Sequence, residues 1–348
     1  MLKRINFLTA GESHGKGLLG IIDGIPSNLT LEKEYIDKEL KRRQMGYGRG
    51  GRMKIESDAV EIWSGVRHGK TIASPIGLIV KNKDWENWKS KMSIKIPPKA
   101  PKKVTLPRPG HADLAGVEKY GFDDIRNVLE RSSARETAMR VALASVCRKL
   151  LKDLGIEIAS RVIRIHDIKD ESQIDVNINN IDINKRADES PVRCLNKSAE
   201  KDMVKVIDNA KGKGDSVGGV FEIIATGLPH GLGSYIQWDR KLQAKISSLL
   251  MSVNAFKAIE IGSGFLSGEK FGSEIHDEIE WNSDRYIRTT NNAGGIEGGM
   301  SNSMPIVLRV AMKPIPTLTK SLKSVDIITK KAKDAHKERT DSCAVPAA

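Results

Sequence analysis

Apolar residues recur along this chain with two different periods, and the switches between them mark out its elements. Residues 3–9 alternate as a half-buried strand does and run into Gly11-Glu12-Ser13-His14-Gly15. From Thr30 the spacing becomes helical, with Leu31, Tyr35, Ile36 and Leu40 on one side and Glu32 and Glu34 early, where the helix dipole favours acids. Strands are predicted over 59–63, 76–80, 156–162, 220–225 and 306–312. The strongest helix signal opens in Arg131-Ser132-Ser133-Ala134-Arg135-Glu136-Thr137, read as a loop that turns into a helix. Ser133 and Glu136 stand in capping-box spacing, Ala138, Val141, Ala142, Val146 and Leu150 follow at helical intervals, and Gly155 supplies a stop. Further helices are predicted over 197–211, closed by Gly212-Lys213-Gly214, and from Asp239, with Leu242, Ile246, Leu249 and Leu250 on its core face. Residues 89–103, rich in lysine and proline, and 166–195, polar and rich in isoleucine, read as surface excursions of one domain spanning 1–348. The pattern gives a chain of mixed α and β structure and leaves the order of its strands open.

Between these elements lie loops where glycine and cationic side chains coincide. The glycines around Ser13-His14 form a tight turn that either presents both side chains to a site or leaves the histidine in water. Residues 42–52 hold Arg42, Arg43, Arg49 and Arg52 among four glycines, a composition that resists a packed element. Such a loop either closes over an anion, whose oxygens the guanidinium fork matches, or stays a flexible basic surface. Pro107-Arg108-Pro109-Gly110-His111 is a stiff turn around an arginine and a histidine. The amides at the start of the helix after Ser133 lie beside Arg131 and Arg135, a setting suited to a phosphate or simply an ordinary capped helix. Late in the chain, the 291–300 loop has paired glycines without the spacing or following helix of a dinucleotide fingerprint, which excludes a Rossmann site. Lys313-Pro314-Ile315-Pro316-Thr317 is a second stiff turn, and Arg339 and Asp341 stand near the end.

Charge narrows the choice of partner. The 348 residues carry a net charge of +13, which admits nucleic acid, an anionic membrane or small polyanions. Aromatic residues make up only 5% and are not interleaved with a basic stripe, so a stacking platform for single strands is not expected. No apolar run approaches the roughly 18 residues of a membrane span. The three cysteines, Cys147, Cys194 and Cys343, lack metal-ligand spacing, and with no leader-like segment they read as reduced thiols in the cytoplasm.

Taken in order, the Gly11–Gly15 turn, the 42–52 loop, Arg108-Pro109-Gly110-His111-Ala112-Asp113, residues 131–137, Asn292-Ala293-Gly294-Gly295 and Arg339-Thr340-Asp341 resemble the chorismate synthase family over nearly the whole chain. The resemblance implies an α+β fold, a β-α-β sandwich with a helical core between antiparallel sheets, in a homotetramer. It implies a carbon–oxygen lyase of aromatic amino-acid biosynthesis. The reaction would be the 1,4-anti elimination of phosphate from 5-enolpyruvylshikimate-3-phosphate, giving chorismate with reduced FMN and no net redox change. By the same resemblance Arg43, Arg49, Arg52, Arg108 and Arg135 surround the substrate, joined by Arg339 where substrate meets flavin. Arg131, Ser132, Ser133, Asn254, Ala255, Gly298 and Lys313, Pro314, Ile315, Pro316 and Thr317, with Arg339, meet FMN. His14 acts at the leaving phosphate, His111 stands near flavin N1, and Ser13 and Asp341 form a relay toward flavin N5. No added segment suits a nicotinamide coenzyme such as NADP, so an external flavin reductant is expected. The chain departs from the family's usual Arg-His-Asp-Pro-Cys at Thr340 and Ser342. No metal, nucleic-acid or membrane partner is expected.

Overall fold

A computed structural model describes residues 4–50, 57–174, 180–337 and 341–348. Two antiparallel sheets form its frame. The first has four strands in the order Asn6–Gly11, Gly17–Asp23, Ile76–Lys81 and Val60–Ile62. Alternation sets its two faces: Leu18 and Ile22 point inward with Ile76, Leu78, Val80 and Val60, while Leu19 and Ile21 stay partly exposed on the outer face. The second sheet has five strands, in the order Phe256–Ile261, Ile306–Met312, Gly219–Thr226, Glu157–Ile165 and Ile168–Lys169.

The helix Thr137–Asp153 packs on the inner face of the first sheet, beside the helix Lys33–Gln44, and also touches the strand Glu157–Ile165 of the second. It is therefore the central helix of the layered arrangement expected for the family. Ala138, Met139, Ala142, Leu143 and Val146 join Ile36, Leu40 and the sheet side chains in one core. Gly20 sets how closely sheet and helix approach, since a Cβ there would stand 2.5 Å from the sulfur of Met139. A second core joins the other sheet to the helix Lys197–Gly212 through Met203, Ile207, Phe221 and Val310, and takes in Cys343 and Val345 from the end of the chain.

Several expectations change. Residues 131–132 are not loop: Arg126–Ser132 is a short helix, followed by a 3₁₀ turn over Ala134–Glu136. The capping box is half formed. Ser133 Oγ accepts from the Arg135 amide at 3.3 Å, but Glu136 does not reach back, because its carboxylate takes Arg140 Nε at 2.9 Å and the Thr9 hydroxyl at 3.0 Å. Arg42 and Arg43 lie in the last turn of Lys33–Gln44, not in the loop beyond. Residues 166–195 are more than a surface excursion, since the helix Asn180–Asp188 buries Ile183 and Ala187, with Val192 and Cys194 following. Their apolar spacing of four is diluted by asparagine and aspartate, which hid it. In the helix Leu242–Met251, Leu242, Ile246 and Leu250 pack against the second sheet, but Leu249 is exposed. Residues 89–103 form turns and are mostly exposed.

Candidate active site

Where the first sheet meets the start of the central helix, a buried polar cluster forms. Asn82, just past the strand Ile76–Lys81, is 4% exposed and donates Nδ2 to the carbonyls of Glu12, Ser13 and Gly15 at 3.0, 3.2 and 2.9 Å. Its Oδ1 accepts from Arg135 Nε at 2.9 Å. One amide thus ties the Ser13-His14 turn to the arginine at the helix start. Arg135 Nη1 in turn donates to both oxygens of buried Asp58, at 2.6 and 2.7 Å.

Arg43 enters the same cluster from the end of its helix. Its Nε and Nη2 donate to Thr137 Oγ1 at 3.1 and 2.8 Å, and Nη2 also to the Ala134 carbonyl. Among the described residues its Nη1 is buried with no hydrogen-bond partner, 3.8 Å from Asp58 Oδ2. Burial, helped by the charges of Arg49 and Arg135, pulls this guanidinium down to about 10 against the attraction of Asp58 and Asp341. Asp341 anchors the glycine loop: Oδ1 accepts the Gly50 amide at 2.6 Å and Oδ2 lies 3.2 Å from Arg49 Nη1. A buried guanidinium with so little counter-charge is a candidate to hold an anion.

His14 lies on the turn held by Asn82. Its Nδ1 is 2.9 Å from Glu130 Oε1, its own amide donates to Glu130 Oε2 at 2.7 Å, and its ring stacks on Trp88 at 3.9 Å between centroids. Ser13 is buried, and its amide donates to the Glu130 carbonyl.

The second histidine sits in another turn. Asp113, fully buried at the start of the helix Asp113–Tyr120, accepts from the Arg108 amide and Nε, both at 2.9 Å, and from His111 Nδ1 at 2.5 Å. Burial alone would raise this carboxyl, but the hydrogen bonds from His111 and Arg108 and their charges hold it well below the usual carboxylate range.

Main-chain contacts join the two turns. Asn254 Nδ2 donates to the Ser132 carbonyl at 2.8 Å, the Lys313 amide donates to the Ala255 carbonyl at 3.0 Å, and Lys313 Nζ donates to the Gly110 carbonyl. Ala255 has φ of +70°, a left-handed conformation between the Asn254 and Lys313 contacts. Burial, with Lys257 nearby, lowers Lys313 from the usual lysine value. Pro316 stands against Gly110, and Ser216 Oγ donates to the Ile315 carbonyl, so the 313–317 turn flanks the His111 turn.

The predicted residues therefore gather unevenly. His14, Ser13, Arg43, Arg49, Arg135 and Asp341 surround one cluster, and Arg108, His111 and the 313–317 turn the other, with Ser132, Asn254 and Ala255 between them. Arg131 is turned to the first strand, donating to the carbonyls of Thr9 and Gly11. Gly298 is the exposed turn residue between the strands Ile296–Glu297 and Met300–Ser301, with open space where a Cβ would stand. Arg52 and Arg339 lie outside the described residues. Glu130, Asp113, Asp58 and Asn82 were missed. Asp113 closes the Arg108–Asp113 motif but was given no role, and Glu130 directly precedes the 131–137 stretch, whereas Asp58 and Asn82 carry no local signal and become candidates only through the fold. Among the described residues no group of side chains is arranged to hold a metal, and no helix is long and apolar enough to cross a membrane.

Residues 5–348 match the family model described as chorismate synthase. The chain is 55% identical over 350 residues to chorismate synthase 2 of Bacillus thuringiensis strain Al Hakam, covering 99% of this chain and 89% of that protein. It is 56% identical over 342 residues to the chorismate synthase of Alkaliphilus metalliredigens, covering 98% and 89% respectively. A solved structure titled "Crystal Structure of Chorismate Synthase" superposes with a TM-score of 0.78 at 45% identity, covering 91% of this chain and 87% of the other.

Proposed function

From this chain's membership of the chorismate synthase family, we propose how its own residues carry that lyase reaction, the elimination of phosphate from 5-enolpyruvylshikimate-3-phosphate in aromatic amino-acid biosynthesis. The observation that carries the reading is the buried arginine cluster, in which Arg43 Nη1 has no hydrogen-bond partner among the described residues; it suits a substrate bearing two carboxylates and a phosphate. Arg43, Arg49, Arg108 and Arg135 hold those anions, with Arg52 and Arg339 as further candidates. Asp58 and Asp341 keep the guanidiniums oriented while leaving them short of full neutralisation.

Reduced FMN, when bound, supplies a reversibly donated electron to an allylic phosphate that has no adjacent carbonyl to stabilise charge. The donors at hand fit that group: a lysine lowered by burial, the Asn254-Ala255 bend and the Ser132-Ser133 helix junction converge beside the His111 turn. Lys313 to Thr317, Asn254, Ala255, Ser132 and Ser133 hold the flavin. Arg131 acts by fixing the Thr9–Gly11 strand end against that junction. Gly298 belongs to this set only by family resemblance, from a loop of the same chain or of a neighbouring subunit.

His14 donates a proton to the departing phosphate, and His111 holds a proton against the flavin ring. Ser13 and Asp341 accept and pass on the proton lost from the substrate's C6. A homotetramer and an external reductant complete the proposal. Support for assembly comes from the outer face of the first sheet, where Leu8, Leu19 and Ile21 are exposed together, and light scattering that gave a monomer would remove it. The roles of the histidines are tested with His14→Ala and His111→Ala, measuring FMN binding and anaerobic turnover separately. Each variant is expected to keep FMN and lose about 10²–10⁴-fold in turnover, the usual weight of general acid–base catalysis. Near-native turnover in either one removes that residue's role.

A further inference from the structure

Glu130 is 3% exposed and both of its carboxylate oxygens are turned on His14. Oε2 accepts the His14 amide at 2.7 Å, and the ring nitrogen Nδ1 lies 2.9 Å from Oε1 and 3.1 Å from Oε2. The main-chain carbonyl of Glu130 also accepts the Ser13 amide at 2.9 Å, so backbone and side chain of one residue grip the same turn. Arg126, one helical turn earlier, places Nη1 3.3 Å from Oε1 and balances the buried charge. On the other side Trp88 lies nearly parallel to the imidazole, with an interplanar angle of 25°, and Arg126 and Lys91 flank the Trp88 ring. The ring is thus fixed in plane by Trp88 and in rotation by Glu130.

An ionised carboxylate only accepts, so the ring nitrogen facing it must carry the hydrogen. We propose that Glu130 is a positioning residue that fixes His14 as the Nδ1–H tautomer and so reserves Nε2 for proton transfer at the leaving group. This rests on the reading of His14 as the residue that meets the leaving phosphate. A carboxylate needed only to close the turn would be satisfied by the His14 amide. Its second bond, to the ring, has a chemical consequence, because the opposite tautomer would set a bare Nδ1 against the carboxylate, acceptor against acceptor, whereas Nδ1–H on Glu130 leaves Nε2 to take up the proton that the imidazolium then gives to the leaving phosphate.

The test is nitrogen NMR of the intact chain labelled with ¹⁵N-histidine, with His14 assigned from the signals lost in His14→Asn. The neutral imidazole of the native protein is expected as the Nδ1–H tautomer. In Glu130→Gln one oxygen and one NH₂ face two N–H donors, so the population shifts toward Nε2–H. The same variant is expected to lose about 10²–10⁴-fold in kcat with little change in KM, and Glu130→Asp, which keeps the charge, to recover part of it. An Nε2–H tautomer in the native protein overturns the proposal, as does a Glu130→Gln variant with native tautomer and native kcat. The spectrum is read without substrate or flavin, so it decides Glu130's part even where His14→Asn retains turnover, the outcome that removes the reading of His14 itself.

Discussion

At the scale of single residues, the site is built by buried carboxylates that each hold more than one cation or donor. Asp113 is the clearest case, fully buried and accepting from His111 and from Arg108 twice. Its folded-state acidity is shifted below the ordinary value of 3.8. A depressed carboxyl contributes stability that is complete above the unfolded value and is lost as pH falls through the folded one. Asp113→Asn should therefore cost about 3–5 kcal/mol at neutral pH, the usual penalty for breaking a buried pair. The gap from the native protein should narrow below about pH 4 as the unfolded carboxyl becomes protonated. Urea unfolding across pH 3 to 7 measures it, and a gap that does not depend on pH contradicts the assignment. Arg43 shows the opposite arrangement, a cation with too little counter-charge, and that imbalance is what a bound anion would relieve.

At the scale of elements, function depends on how the first sheet, the Ser13-His14 turn and the central helix are pinned together, and Asn82 is the pin. Asn82→Ala leaves the carbonyls of the turn and Arg135 Nε without that partner, for an expected loss of about 1–3 kcal/mol. It should also impair turnover more than FMN binding, since most of the residues proposed to hold the flavin lie nearer the His111 turn. Equal turnover in the variant and the native protein would show that the turn holds itself. Much of this layer was legible in the sequence. The central helix Thr137–Asp153 buries Ala138, Ala142 and Val146 as their spacing predicted and ends just before Gly155, although it opens past the 3₁₀ turn that Ser133 caps, and the strand Ile306–Met312 matched its apolar run. The helices Asp113–Tyr120 and Arg126–Ser132 were not legible, because each is only about two turns long and buries only a few apolar side chains, among them Val117, Val128 and Leu129. The candidate site divides the same way. Its arginines and histidines, with Asp341, announced themselves in the motifs that were read, while Asp58 and Asn82 gave no local pattern and joined the cluster only through the fold.

At the scale of the whole molecule, two antiparallel sheets with helices between them place distant motifs in one polar region. The strand order could not be read from periodicity, since alternation fixes the faces of a strand but not its neighbours. The resemblance supplied the layers but no strand order; the two antiparallel sheets and the central helix that touches both agree with those layers, and the order of the strands comes from the structure alone. The formal charge of +13 suits the anionic substrate and cofactor of the proposed function. The central claim is that this chain eliminates phosphate from 5-enolpyruvylshikimate-3-phosphate with the help of reduced flavin. The most direct test is an anaerobic assay of the intact chain with that substrate, with and without dithionite-reduced FMN, following chorismate and phosphate together. Chorismate and phosphate released in equal amounts, only with reduced FMN and without net flavin oxidation, is the result expected. Equal release without flavin, or no release by folded protein that has bound reduced FMN and substrate, would contradict it.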